Sequence, residues 1–204
     1  MRRVVSHRIR TSAIALVLVL ALASCSGNGE TENPGPEVPP GTELGSWDST
    51  MKLGESTLLV LGDQAGGTSG TIVRLDALEV RRGPATDLDT FSGVPSGVEP
   101  WYVSVEMHNR GPADLDMALE KGWVLRVSDN LVLPPANVHG VISECPTTPA
   151  GEPISQGAEH LDCLVFLVST GQRPSTIEYL RHDGVSSVAW RIPSSVTSET
   201  SSAN

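Results

Sequence analysis

Two thiols and a nearby imidazole are the side chains of this chain that most readily suggest chemistry. Cys145 and Cys163 lie in one stretch of sequence, and His160 precedes the second cysteine by three positions. These residue types allow a disulfide, a metal site that uses both thiolates and the imidazole, or a nucleophilic Cys–His pair. The choice depends on the compartment, because disulfides form and persist in oxidising surroundings.

The N-terminus indicates that compartment. Four arginines precede the uninterrupted apolar run 13–22, and this order is typical of a secretory signal. The run is too short for a membrane-spanning helix, which needs about 20 apolar residues. Leu22-Ala23-Ser24-Cys25 then resembles a bacterial lipobox, in which the thiol receives a diacylglyceryl group and the chain is cut just before the cysteine. An ordinary cleaved signal with a coincidental cysteine is the alternative.

A lipid on Cys25 would hold the mature chain at the extracytoplasmic face of the cell membrane, because two acyl chains give stable anchoring. It would also leave Cys145 and Cys163 as a natural pair. We therefore predict a disulfide between them, which would stabilise the fold by roughly 3 kcal/mol. The metal site with His160 stays open as the alternative. The nucleophilic pair is weaker, since the disulfide already accounts for Cys163.

Other patterns that carry chemistry are missing from the sequence. It contains no Gly-x-Ser-x-Gly nucleophile elbow, no His-Glu-x-x-His zinc helix and no calcium-loop pattern. The Gly-rich run 62–70 lacks the lysine of a phosphate loop and is better interpreted as a flexible hairpin. We also expect no metal site between histidines on separate predicted elements: His108, His139, His160 and His182. The sequence thus predicts no catalytic residue, no cofactor and no enzymatic activity.

Charge argues against nucleic acid as a partner. The signal carries four of the 14 basic residues and none of the 24 acidic ones, so the chain after cleavage has 10 basic residues and a net charge of −14. Such a surface repels the phosphates of nucleic acid. It also repels anionic membranes, so attachment should depend on the lipid at Cys25.

Composition divides the chain into four parts. We expect a lipoprotein signal over residues 1–24, a lipidated flexible tether over 25–45, one domain over 46–192 and a disordered tail over 193–204. The tether is rich in Pro and Gly and has almost no apolar side chains, so burial cannot offset the entropy lost on ordering it. The tail is rich in Ser and Thr and should fray.

Short runs within the domain alternate apolar and polar residues with the period of two that is typical of half-buried strands. In the clearest run, Trp101 to His108, odd-numbered residues face one way and even-numbered residues the other. Leu161 to Val168 is apolar on both faces apart from Asp162, so we expect it to be a central strand. Further strands are predicted at Thr57 to Leu61, Thr71 to Val80, Trp123 to Val127, Leu131 to Leu133, Thr176 to Arg181 and Val188 to Ile192.

About eight short strands separated by Gly and Pro predict an all-β fold, arranged as an antiparallel β-sandwich. A small barrel is the alternative. Trp101, Trp123 and Trp190 are expected to fill the core, because aromatic residues make up only 4% of the chain. Trp47 lies outside the predicted strands, and a ligand platform built from tryptophans is the other interpretation of these residues.

Four segments carry a family resemblance through their order and spacing. They are Leu53-Gly54-Glu55, the strand from Trp101 that ends in Asn109-Arg110-Gly111, Ser128-Asp129-Asn130-Leu131, and Gly157 through Phe166. Together they resemble the telokin-like, immunoglobulin-fold family of bacterial lipoproteins, a family of unknown function similar in fold to the mycobacterial secreted immunoprotective antigen. Asn130 stands where Gly is usual, which is tolerable because Asn also reaches positive φ. The resemblance implies an immunoglobulin-like sandwich and an extracytoplasmic location, and it transfers no catalytic residue.

These observations favour a non-catalytic interaction or accessory module at the cell envelope. A tethered sandwich suits a protein or envelope component as partner, bound through loops or a strand edge. The long connections 81–100 and 134–160 are candidates for such binding. The alternative is a small-ligand or metal-binding lipoprotein that serves import or sensing, and a hydrolase with an unrecognised site is the weakest interpretation.

Overall fold

The computed structural model describes residues 38, 40–61, 71–115, 121–137, 142–146, 153–181 and 184–197. The predicted signal, Cys25, most of the predicted tether, the Gly-rich run 62–70, His139 and His182 lie outside the described residues. Within that part of the chain, no helix is long and apolar enough to cross a membrane.

Nine strands occupy the described part of the chain. All those predicted from alternation are present, and one short strand precedes them. The strands are β1 Thr50–Lys52, β2 Ser56–Leu61, β3 Thr71–Arg82, β4 Val98–Asn109, β5 Trp123–Ser128, β6 Leu131–Leu133, β7 Glu159–Ser169, β8 Thr176–Leu180 and β9 Ser187–Arg191.

The strands form two sheets that pack as a sandwich, as the sequence predicts. The five-stranded sheet has the order β1-β9-β8-β5-β6, and the four-stranded sheet has the order β2-β3-β4-β7. All neighbours pair antiparallel except β1 and β9, which are parallel. The architecture is an immunoglobulin-like sandwich, and the predicted all-β fold is confirmed.

Three tryptophans fill the space between the sheets. Trp101, Trp123 and Trp190 are each no more than 1% exposed. The ring of Trp123 lies 5.2 Å from that of Tyr179 at an edge-to-face angle of 78°, and 5.3 Å from that of Trp190. Aromatic pairs of this geometry stabilise beyond the area they bury. The tryptophans are therefore core residues, as expected, and not a ligand platform.

One strand prediction is wrong in its position. β7 contains the run Leu161 to Val168 and is the edge strand of its sheet, not a central strand. Its second face is apolar because a loop covers it: Ile142 and Cys145 pack with Val165 over the sheet. The pattern of apolar and polar residues shows which faces of a strand are buried. It does not show whether a neighbouring strand or a disulfide-linked loop covers them.

Residues before the first strand and after the last strand also contact the domain. Upstream, the Gly45 N–H donates to the Leu58 carbonyl at 2.7 Å. Downstream, Ser194–Thr197 forms one 3₁₀ turn, and Val196 packs against the core. The connection after β3 is shorter than expected, because β3 runs to Arg82 and β4 begins at Val98.

Candidate binding face on the four-stranded sheet

The outer face of the four-stranded sheet, turned away from the core, carries charged side chains in its middle. The register places Arg74 opposite His108 and Asp76 opposite Glu106. Their neighbours along each strand, among them Val73, Leu75, Val105 and Met107, belong to the core cluster. Because successive side chains of a strand point to opposite faces, the charged residues lie together on the outside.

Arg74 is the centre of this charged row. Its Nε donates to Asp76 Oδ2 at 3.0 Å, and its Nη2 donates to Glu106 Oε1. Nη2 also lies 3.7 Å from Glu159 Oε1 on the edge strand. His108 Nδ1 is 2.9 Å from the same Glu159 oxygen, although it lacks the alignment of a hydrogen bond. One guanidinium thus lies within ion-pair distance of carboxylates from three strands.

Burial and neighbouring charges shift the pKa values of Asp76 and Arg74. Burial raises the pKa of Asp76; Arg74 opposes the shift, and the nearby carboxylate of Glu106 adds to it. Burial alone would lower the pKa of Arg74, yet its bonds with Glu106 and Asp76 raise it. The carboxylates are therefore tied to a permanent cation, which suits a structural or recognition surface better than general acid–base chemistry.

An open groove lies beside the charged row, toward the start of β3. Its volume is about 330 Å³, and its walls are Thr42, Leu58, Ile72, Arg74 and Arg110. Leu58 lies opposite Arg74, and Ile72 lies opposite Val60. All four residues alternate along their strands with core residues, so their side chains point outward. The groove therefore has an apolar floor and guanidinium groups at its rim.

The opposite end of the outer face is closed by the predicted disulfide. Cys145 and Cys163 are bonded, with their Cα atoms 5.3 Å apart, and they pack with Tyr102 in a second apolar cluster. The disulfide prediction is confirmed. The metal site with His160 and the nucleophilic Cys163 are thereby excluded, because neither sulfur is a free thiolate.

Polar contacts hold the neighbouring loops onto the same end. The Tyr102 hydroxyl donates to Asp87 Oδ2 at 2.7 Å. Burial and, to a smaller extent, this hydrogen bond raise the pKa of Tyr102. Arg81 Nη2 donates to the Glu144 carbonyl at 2.6 Å, and its guanidinium lies 5.6 Å from the centre of the Tyr102 ring. A Cβ on Gly83 would stand 2.5 Å from that ring, so only glycine allows this approach. The described parts of both long connections are thus packed onto the sheet.

Asn109 explains the signature at the end of β4. Its Nδ2 donates to the carbonyls of Ala113 and Ile154 at 2.7 and 2.8 Å, and its Oδ1 accepts the Gly111 N–H at 3.0 Å. The side chain is fully buried. A Cβ on Gly111 would lie 1.8 Å from Thr71 Oγ1, so the glycine is required by close approach. The Asn-x-Gly pattern therefore fixes the turn that presents Arg110 to the groove.

Most edges of the two sheets are short or capped. β1 and β6 have only three residues each. On β7, Asp162 Oδ1 accepts the Cys163 N–H at 2.8 Å, and the Val165 carbonyl accepts the Ala136 N–H at 2.7 Å. On β2, the Leu58 carbonyl is taken by the upstream segment. Such edges resist pairing with a foreign strand.

The remaining predicted residues are dispersed. His108 belongs to the charged row, whereas His160 lies on the edge strand, paired with Met107. No group of three or more His, Cys, Asp or Glu side chains in the described ranges is arranged to hold a metal ion. Trp47 is half-buried, and the Arg181 guanidinium lies 5.7 Å from its ring centre. Trp47 therefore shields the core beside β9.

Sequence reasoning missed the charged row and the groove. Arg74 and Asp76 occupy polar positions of a predicted strand, and this alternation was the only available signal. Their partners Glu106 and Glu159 come from strands far along the chain. A period of two shows which side of a strand is outward, but it does not show which strand lies next to it.

Comparison with known proteins bears on the fold alone. No family model matches the chain, and no curated protein matches it. The domain is similar in structure to MPT63, a secreted protein from Mycobacterium tuberculosis. The match has a TM-score of 0.51 and 17% sequence identity, and it covers 72% of this chain and 100% of MPT63. The similarity to MPT63 supports the immunoglobulin-like sandwich that the family resemblance implied.

Proposed function

We propose that this chain is an extracytoplasmic lipoprotein, anchored through Cys25, whose sandwich is a non-catalytic binding module. The supporting observation is the composition of the outer face of the four-stranded sheet. It combines the open groove, the charged row and Leu161, which is 57% exposed near the start of β7. An apolar groove floor and an exposed leucine beside charged groups give this face the mixture of apolar and polar surface that is found in protein interfaces.

Recognition by a face is favoured over recognition by a strand edge. Pairing with an extended partner strand needs a row of unpaired backbone groups. The short β1 and β6 offer few such groups, and β7 has its Cys163 N–H and Val165 carbonyl occupied. The partner is therefore proposed to be a protein or envelope component that covers Leu161 and the charged row.

A non-catalytic role is favoured by the pairing of the charged groups. The carboxylates of Asp76 and Glu106 are engaged by Arg74, and the two described thiols form a disulfide. A general base or a nucleophile needs a free pair of electrons directed at a substrate. Asp76 and Glu106 instead direct carboxylate oxygens at the Arg74 guanidinium.

Site-specific photo-crosslinking tests the binding face. A photoreactive amino acid at Leu161 should crosslink to a discrete partner in intact cells, whereas one at Val132 should not. Val132 is a matched control, since it is 40% exposed but lies on the five-stranded sheet. Equal crosslinking at both positions, or none at Leu161 when the protein is correctly exported, would refute the proposed face.

The anchor has a separate test. Cys25→Ala should abolish incorporation of labelled palmitate and release the protein from the membrane fraction. The double variant Cys145→Ser/Cys163→Ser is the control, because it removes both thiols of the disulfide and keeps Cys25. A Cys25→Ala protein that still incorporates palmitate would refute lipidation at this residue.

The groove supports a second candidate function, the binding of a small ligand. Its volume of about 330 Å³ lies at the lower end of the roughly 300–1,000 Å³ that is usual for ligand sites. Such sites combine an apolar lining with a few polar groups that orient the ligand. In this role the module would deliver its ligand to an import or sensing system.

A further inference from the structure

The groove has an unusual charge for its surroundings. The chain as a whole has 14 basic and 24 acidic residues, yet the charged side chains among the described residues of the groove wall are Arg74 and Arg110. Both guanidinium groups border an apolar floor made by Leu58 and Ile72. Arg74 is already paired with carboxylates, so Arg110 supplies the positive charge that can attract an anionic ligand to the groove.

The two arginines differ in what they can still bind. Nε and Nη2 of Arg74 are engaged by Asp76 and Glu106, and Nη1 takes part in neither of these bonds. The Arg110 side chain is exposed and has no hydrogen-bond or ion-pair partner among the described residues. Its backbone, in contrast, is held by a 2.8 Å bond from its N–H to the Ile72 carbonyl.

A fixed backbone under an unpaired guanidinium favours ligand recognition. The Asn109 side chain accepts the Gly111 N–H and donates to the Ile154 carbonyl, so the turn that carries Arg110 is ordered before any ligand arrives. Less entropy is lost on binding when the anchoring backbone is already in place. The planar fork of an arginine side chain matches the two oxygens of a carboxylate.

We propose that this groove binds an amphiphilic carboxylate of the fatty-acid type. The carboxylate pairs with Arg110, with Nη1 of Arg74 as a further donor, and the alkyl chain lies over Leu58 and Ile72. The small number of polar groups among the described residues of the wall favours an alkyl chain over a sugar or nucleotide, each of which would need many hydrogen bonds. This inference rests on the small-ligand candidate and deepens it. It does not require the lipid anchor, and it shares only Arg74 with the proposed protein-binding face.

Titration calorimetry with dodecanoate, below its micelle concentration, tests the assignment on the purified full chain. We expect saturable binding with one site, and a loss of about 10-fold to 100-fold in affinity for Arg110→Gln, which removes a charge-assisted pair. Arg110→Lys should lose less, because it keeps the charge and loses the fork. Lys121→Gln is the matched control, since it removes one exposed positive charge outside the groove and should leave affinity unchanged.

Two further ligands separate the contribution of the carboxylate to the affinity from that of the alkyl chain. Dodecanol should bind the wild-type chain at least about 10-fold more weakly than dodecanoate and should not distinguish wild type from Arg110→Gln. Acetate should show no measurable binding, because it lacks the chain that covers the floor. The N-terminal segment is common to all variants, so its contribution cancels in the comparison.

The proposal is overturned if dodecanoate shows no saturable binding, if Arg110→Gln binds it as tightly as wild type with an unchanged melting temperature, or if dodecanol binds equally well. A crosslink at Leu161 that persists in Arg110→Gln would leave the proposed protein-binding face intact. The two hypotheses therefore fail separately.

Discussion

The strongest structural prediction concerns Asn109, the buried side chain that joins the end of β4 to two other segments. Asn109→Ala removes three hydrogen bonds of 2.7 to 3.0 Å. The Ala113 carbonyl belongs to an exposed residue and can bond to water instead. The Ile154 carbonyl keeps its 2.9 Å bond from the Leu115 N–H, so the Gly111 N–H is the buried group left without a partner.

The magnitude follows from this one orphaned donor. A buried donor left unsatisfied costs about 1–3 kcal/mol, so we expect a loss of about 2 kcal/mol in the free energy of unfolding. For a domain of this size, that corresponds to a fall of about 6 °C in the melting temperature. Asn109→Asp should be at least as unstable, because a carboxylate would then face two carbonyl oxygens.

Urea unfolding followed by tryptophan fluorescence is a suitable assay, since three of the tryptophans are buried in the core. The midpoint should fall and the denaturant slope should stay the same, because the surface exposed on unfolding is unchanged. Arg110→Ala is the matched control: its side chain is exposed and should change stability by no more than about 0.5 kcal/mol. A loss below about 1 kcal/mol for Asn109→Ala would refute the role assigned to these bonds.

Three further predictions concern the core, the disulfide and the five-stranded sheet. Replacing Cys145 and Cys163 together by serine should lower the free energy of unfolding by roughly 3 kcal/mol, and a reductant should destabilise the wild type but not this variant. Trp123→Ala should cost about 3–5 kcal/mol by urea unfolding, because it opens a cavity among packed rings; a cost near zero would contradict the described core. Burial alone would raise the pKa of Glu178, but bonds from Arg126 and Thr176 lower it below 4.5. Glu178 therefore stabilises the fold above pH 4.5, and this stabilisation is lost as the pH falls through its folded-state pKa. The stability difference between wild type and Glu178→Gln should therefore shrink on acidification below pH 4.5, and a difference that grows would show that the sign is wrong.

The alternation of apolar and polar residues in the sequence was sufficient to predict the strands and the side chains that face the core. Trp101, Val103, Val105 and Met107 point into the core as predicted, because a strand has a side-chain period of two whatever its neighbours are. The cysteine pairing was also predictable from the sequence, since assigning Cys25 to the lipid left a single pair. These inferences need only local geometry or counting.

Only the tertiary structure decided which strands are neighbours and what their outer faces form. The apolar run of β7 proved to be an edge covered by the disulfide loop, and the row around Arg74 joins residues from three strands. The groove depends on the same pairing, because the turn that carries Arg110 is held by Ile154, 44 positions later. Strand order and register arise from contacts between residues distant in sequence, and a local pattern of polarity does not specify them.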